Sequence, residues 1–153
     1  MIEYRTMTMD DVEAAAELER ACFSTPWSAR AFAESIRDKN IVYVIAVRDG
    51  ELVGNCGLRS VAGEGEITNV AVRPDVRKQG IATKLLQELM RRGEALGVKA
   101  YTLEVRCHNI EAITLYERLG FQSEGIRPGF YTDPVEDALL MTCWLSPREG
   151  DFL

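Results

Sequence analysis

Hydrophobic and polar positions change their period along this chain, and each change marks an element. Ile2 to Thr6 alternates in the manner of a short strand. Thr8-Met9-Asp10-Asp11 reads as a helix start, with Thr8 as cap, Asp11 three residues on, and acids near the positive end of the helix dipole. Val12, Ala15, Leu18 and Cys22 then mark one helical face up to about Phe23. Pro26-Trp27-Ser28 breaks the chain, and Ser28 can cap a second helix that turns Phe32 and Ile36 inward. Ile41 to Arg48 is a buried strand rich in β-branched residues. Asp49-Gly50 is a hairpin signal that returns the chain through Leu52 to Ser60.

A Gly-containing bend, Ala62 to Gly65, leads into a third long strand, Glu66 to Arg73, ended by Pro74. Gly80 to Leu96 reads as a helix with Ile81, Leu85 and Leu89 on one side and Gly97 as its stop. Ala100 to Arg106 is a further strand. Asn109 or Glu111 opens a helix that runs through Leu119 and closes at Gly120. Phe121 to Ile126 and Ala138 to Leu145 read as two final strands, joined by a turn-rich stretch from Arg127 to Asp137. The order β-α-α-β-β-β-α-β-α-β-β predicts an α/β (α+β) domain built on a mixed sheet.

At 153 residues the chain has the length of one domain, and we take 1–153 as such. Composition near the globular average (46% hydrophobic, 27% charged) excludes disordered, collagen-like and coiled-coil classes. The longest apolar run, Ile41 to Val47, is far short of the ~20 residues a bilayer demands. The opening Met-Ile-Glu-Tyr-Arg lacks the basic stretch and apolar segment of a signal peptide. A soluble, cytoplasmic protein with no membrane partner is the expectation.

Charge sharpens this picture. Lys plus Arg total 18 and Asp plus Glu 24, a net charge of −6, which argues against direct nucleic-acid binding. Between Val70 and Arg92, however, six basic residues face only Asp75 and Glu88. Such an island suggests one anionic ligand held at one place. The acids Asp10, Asp11, Glu13, Glu17 and Glu19 read as the solvated face of the first helix. Cys22, Cys56, Cys107 and Cys143 contain no C-x-x-C pair, and the lone His108 lies beside Cys107. No metal is expected.

The island's chemistry is specific. Val70-Ala71-Val72-Arg73-Pro74 precedes Arg77-Lys78-Gln79-Gly80-Ile81-Ala82-Thr83 at a helix entrance, where unpaired amides and the dipole attract anions. Gly80 and small Ala82 admit a ligand close to the backbone. The spacing matches neither a Walker turn nor a Rossmann fingerprint.

Arg77-x-x-Gly80-x-Ala82 resembles the acyl-CoA signature of the GCN5-related N-acetyltransferases (GNAT), and Asn109-x-x-Ala112-x-x-x-Tyr116-x-x-x-Gly120-Phe121 resembles their second motif. Phe23-Ser24-Thr25-Pro26-Trp27-Ser28, Leu103-Glu104-Val105-Arg106 and Arg127-Pro128-Gly129-Phe130-Tyr131 followed by Glu136-Asp137-Ala138 look most similar to the ribosomal-protein-alanine (RimI-type) branch. Two departures are Ala82, where many members carry glycine, and Phe130, where the branch often has a second tyrosine. The resemblance implies a mixed, mostly antiparallel sheet of about 6–7 strands flanked by about four helices.

It also implies acetyl-CoA lying along Val70-Ala71-Val72, with its pyrophosphate on the amides of Lys78 to Thr83 and Asn109 as a further contact. Direct transfer to an amine in a ternary complex would then use Glu104 as general base and Tyr116 as general acid. Trp27 and Tyr131 would wall the acceptor, the N-terminal alanine of a small-subunit ribosomal protein. The alternatives are a small-molecule amine acetyltransferase and a non-catalytic CoA-binding module.

Overall fold

The computed structural model describes residues 1–145. In chain order the elements are β1 (Ile2–Thr6), α1 (Val12–Cys22), α2 (Ala29–Ser35), β2 (Ile41–Arg48), β3 (Glu51–Val61), β4 (Glu64–Val72), α3 (Ile81–Ala95), β5 (Ala100–Arg106), α4 (Ile110–Arg118), β6 (Gln122–Tyr131) and β7 (Glu136–Trp144). The strands form one seven-stranded sheet in the order β1-β2-β3-β4-β5-β7-β6. Every pairing is antiparallel except β4 with β5.

The continuous apolar run in β2 follows from burial on both faces. Tyr43 and Ile45 pack with Val12, Ala15, Ala16 and Phe32, under α1 and α2. Val44 and Ala46 join the larger core beneath α3 and α4, with Leu85, Leu86, Leu89, Leu103, Val105 and Tyr116. Ser28 caps α2 by accepting from Ala31 N at 3.1 Å. The Thr8 to Asp11 start is capped differently from a simple helix entry. Residues Met9–Asp11 form a 3-10 turn, and the Asp11 carboxylate accepts from Thr8 N (2.8 Å) while pairing with Arg5. Among the described residues no helix is long and apolar enough to cross a membrane.

Two boundaries differ from the sequence reading. Ala62 and Gly63 (φ 51° and 83°) make a tight two-residue hairpin turn, so β4 starts at Glu64, two residues earlier than expected. The stretch from Arg127 to Asp137, expected to be turns, is mostly strand. Its register shifts between Arg127 and Tyr131, so that Pro128, Gly129 and Phe130 form an irregularity on an edge strand, where a missing N–H is tolerated. Asp137 fastens that bulge by accepting from Gly129 N at 2.9 Å.

The parallel pairing that holds the two halves of the sheet together is short. Only Glu64, Gly65 and Glu66 of β4 pair with Ala100, Tyr101 and Thr102 of β5. Just beyond, β4 carries an irregularity against β3, where Leu58 faces Ile67 and Gly57 faces Asn69, leaving Thr68 as an extra residue. An inserted residue bends its strand. From Ile67 onward β4 and β5 are unpaired, and a cleft opens between them.

Gly93 in α3 is tightly packed: a Cβ there would collide with the Tyr101 hydroxyl and meet its ring carbons at 3.0 Å. That hydroxyl donates to Met90 O at 2.7 Å and cannot retreat freely. Glycine to alanine inside a helix ordinarily gains up to ~1 kcal/mol. Here Gly93→Ala is expected to destabilise by about 1–3 kcal/mol in a urea titration, as overpacking does. A neutral or stabilising result would refute the assigned packing.

Candidate active site

The edge of β4 that looks into the cleft is identified by hydrogen-bond alternation. Arg73 N donates to Val53 O at 2.8 Å, so Ala71 and Asn69 turn their main-chain groups toward β3. Val70 and Val72 therefore turn theirs toward β5, across the opening. On β5, Leu145 N donates to Lys99 O and Cys107 N to Asp137 O, which directs the main chain of Glu104 and Arg106 into the same opening. Side chains of Val70 and Val72 pack toward α3, as an inner strand requires, while Ala71 is buried on the opposite face.

At the end of β4 the chain turns through a 3-10 segment, Pro74–Val76, and enters α3 through Lys78 (φ 65°) and Gly80 (φ 79°). Gly80 is the N-cap and supplies no side-chain cap, and the first main-chain bond into the helix runs from Lys84 N to Gly80 O. The amides of Ile81, Ala82 and Thr83 are thus left as free donors at the positive end of the dipole. A Cβ on Gly80 would meet nothing within 4 Å, so no other part of the protein crowds the N-cap itself. The loop residues Lys78, Gln79 and Gly80 are exposed.

Arg77, part of the basic loop, is engaged by the protein's own groups. Its Nε donates to Val72 O at 3.0 Å and its Nη2 reaches Cys22 Sγ at 3.5 Å, so it ties the loop to the open edge of β4. Lys78 instead pairs with Glu111 at 3.6 Å on the surface. Asn109 caps α4 by accepting from Ala112 N at 3.2 Å, and its amide nitrogen stays available.

Glu104 lies on the stretch of β5 that has left β4. Its Oε1 is 3.4 Å from Arg127, whereas its Oε2 is buried with no partner. Arg106, a possible partner for Glu104, is engaged elsewhere: it binds Glu136 (3.2 Å) and Pro134 O (2.9 Å) and stacks 4.5 Å over the Tyr131 ring. Glu136 also accepts from His108 N and sits 2.8 Å from His108 Nδ1. These bonds hold its carboxyl below the usual range and clip the β6–β7 hairpin to the turn after β5.

Tyr116 and Glu104 lie on opposite faces of the sheet. Tyr116 lies in the α3–α4 core, edge-on to Phe121 at 5.9 Å, and burial raises its phenol well above the ordinary value. Glu104 projects from the other face, since Leu103 and Val105 occupy that core. Tyr131 has its phenol pushed up to about 12, first by burial and then by the Glu104 charge. Trp27, expected as an acceptor wall, packs on Phe32 (5.4 Å) and Tyr43 (6.1 Å) and is half-buried. The four cysteines are free, and burial raises the thiols of Cys22, Cys56 and Cys143. Among the described residues no three His, Cys, Asp or Glu side chains gather as a metal site.

Two residues that the pattern reading missed stand out. Glu19 does not belong to a solvated helix face, for it is only 1% exposed. Its carboxylate accepts from Trp27 N at 3.1 Å and from Asn69 Nδ2 at 3.4 Å. The signal was available: Val12, Ala15, Ala16 and Glu19 share one helical stripe, and a carboxylate on an apolar stripe is buried unless that stripe is exposed. Arg127 was read as part of a turn and is a strand residue paired with Glu104.

Residues 12–121 match the Acetyltransferase (GNAT) family. The [ribosomal protein bS18]-alanine N-acetyltransferase of Escherichia coli is 35% identical over 138 residues, covering 89% of this chain and 93% of that one. A crystal structure of the ribosomal-protein-S18-alanine N-acetyltransferase from Escherichia coli superposes with a TM-score of 0.87 at 32% identity, over 99% of this chain and 98% of that one. The PaiA N-acetyltransferase of Thermoplasma acidophilum, in complex with coenzyme A, shares the fold at a TM-score of 0.77 and 20% identity, over 94% of this chain and 99% of that one.

Burial raises the Glu19 carboxyl above its ordinary value. Such a group binds its proton more tightly when folded, so its stabilising contribution is complete below the unfolded value of ~4.3 and is lost as pH rises through the folded one. Thermal unfolding of wild type and Glu19→Gln from pH 4 to 8 is expected to show the variant gaining on wild type as pH rises. A difference that stays flat with pH would contradict this burial.

Proposed function

The chain belongs to the acetyltransferase (GNAT) family and is an N-acetyltransferase, and from that premise we propose that it transfers acetyl from acetyl-CoA to the N-terminal alanine of ribosomal protein bS18. The whole of 1–153 is taken as one catalytic domain acting in the cytoplasm. The observation that carries the reading is the opening between β4 and β5, with free main-chain donors on one wall and a half-buried, half-partnered carboxylate on the other.

The residues fit the coenzyme. The free amides of Ile81, Ala82 and Thr83, with those of Lys78 to Gly80 in the preceding loop, form a nest for a diphosphate. The open edge at Val70 and Val72 suits an amide-bearing pantetheine arm, which can pair as a strand would. Coenzyme A is the ligand named for a structural neighbour of this fold. Acetyl-CoA supplies the activated acyl group; the protein supplies position and proton transfer. An edge N–H of β4 donates to the carbonyl oxygen as its charge grows.

An N-terminal amine has a pKa of about 7.7–8.0 and a lysine about 10.4, so exposing a neutral amine near pH 7 costs roughly 1 and 4.6 kcal/mol respectively. The N-terminal substrate asks less of its base. Glu104 accepts the amine proton, directly or through one water. Tyr116, kept protonated by its raised pKa, donates toward the departing sulfur from the opposite face. The amine thus enters on the α1–α2 side and the thiol leaves on the α3–α4 side. The raised pKa values of three of the four cysteines suit direct transfer rather than an acyl-enzyme. Trp27 and Tyr131 line the acceptor's approach.

Intact-mass analysis of a bS18 N-terminal peptide incubated with the protein and acetyl-CoA is expected to gain one acetyl group at the α-amine. Acetylation confined to polyamines or aminoglycosides would overturn this acceptor. Glu104→Gln is expected to lower kcat by about 100-fold or more, as loss of a general base does, with CoA affinity by calorimetry unchanged. Parallel loss of both would assign the residue to structure instead.

A further inference from the structure

The only hydrogen bond to the main chain of residues 24–27, among the described residues, is the one from Trp27 N to the Glu19 carboxylate. Residues 24–26 are exposed, so packing holds them little. The other Glu19 oxygen reaches Asn69, which stands at the irregularity that bends β4. Thr68, the extra residue, donates its hydroxyl to Asn69 Oδ1 at 2.8 Å. These groups converge on one point. A Cβ on Gly57 would lie 2.6 Å from Asn69 Oδ1 and 2.7 Å from Thr68 Oγ1 and would touch the Tyr43 ring, on which Trp27 packs.

Burying a carboxylate on an apolar stripe costs free energy that a hydrocarbon side chain would not. What the carboxylate adds is direction: two bonds that fix one segment against another. The segments are the turn carrying Trp27 and the bent strand whose free edge faces the cleft.

We infer that Glu19 is a positioning residue for the acceptor, setting the distance between the Trp27 wall and the open edge of β4. This rests on the reading above that the acceptor passes Trp27. Glu19 touches neither reactant; it acts through Trp27 on one side and Asn69 on the other. Glutamine preserves an acceptor for Trp27 N, and the Asn69 amide can rotate to meet its NH2, so Glu19→Gln retains the link that Glu19→Ala removes.

The test is steady-state kinetics with an alanine-terminated bS18 peptide and acetyl-CoA, combined with amide hydrogen exchange on each variant. Glu19→Ala is expected to raise the peptide KM tenfold or more, leave the acetyl-CoA KM within twofold, and speed exchange at residues 24–27 but not at 78–83. Glu19→Gln is expected to restore the peptide KM to within threefold of wild type. Asn69→Ala, which removes the strand-side bond to Glu19 together with the acceptor of the Thr68 hydroxyl and leaves the Trp27 bond in place, should raise the peptide KM in the same direction and serves if Glu19→Ala does not fold. Unchanged peptide KM in a folded Glu19→Ala or Asn69→Ala protein overturns the inference, as does an equal rise in both KM values. Wild type that fails to acetylate the peptide at all would strike the acceptor reading instead. Faster exchange at 24–27 in Glu19→Ala would then still support the tether, and unchanged exchange would overturn it.

Discussion

Three paired residues on each of β4 and β5 hold the two halves of the sheet together, and the strands then separate. Unpaired main-chain groups in the middle of a sheet are costly unless something satisfies them. Here the protein satisfies only some. Arg77 takes the Val72 carbonyl, and α3 begins with a glycine that caps nothing. The groups left over lie along one line, from the open edge of β4 to the first turn of α3. In the function proposed above they would receive a long ligand with amides at one end and a diphosphate at the other. Every chemical role assigned to a side chain depends on that line.

The sheet also divides the labour of catalysis. Alternation along β5 sends Leu103 and Val105 into the α3–α4 core and leaves Glu104 on the other face. Tyr116 lies in that core. The base and acid proposed here thus sit on opposite faces, which suits a transfer in which the nucleophile arrives from one side and the leaving group departs from the other. The α1–α2 turn and the β6–β7 hairpin flank the first of these sides. The hairpin is clipped by Glu136 to His108 and Arg106. The turn is held by Glu19.

Much of the fold was legible in the residues, and the exceptions have physical reasons. The helix entrance at Gly80 could be read because Pro74 ends the strand before it and the helical spacing of Ile81, Leu85 and Leu89 begins just after the glycine. The face occupied by Glu104 followed from period two. The cleft itself was not read, although Ile67-Thr68-Asn69-Val70 places two polar residues between apolar ones where strict alternation allows one. That skip is the irregularity that bends β4. The β6–β7 hairpin was underestimated because Pro128 and Gly129 break most strands, and only an edge position lets a strand pass through them. Glu19 was grouped with neighbouring acids by composition, when its place on the stripe of Val12, Ala15 and Ala16 pointed inward.

The most direct measurement is a backbone amide NMR titration with coenzyme A. The account predicts that the amides of Val70, Val72 and residues 78–83 shift together in one binding event and that the Val70 and Val72 amides become protected from exchange, while those of Asn69 and Ala71 do not change their protection. Saturable binding that leaves the β4 edge unperturbed, or that perturbs only residues outside the cleft, would contradict it.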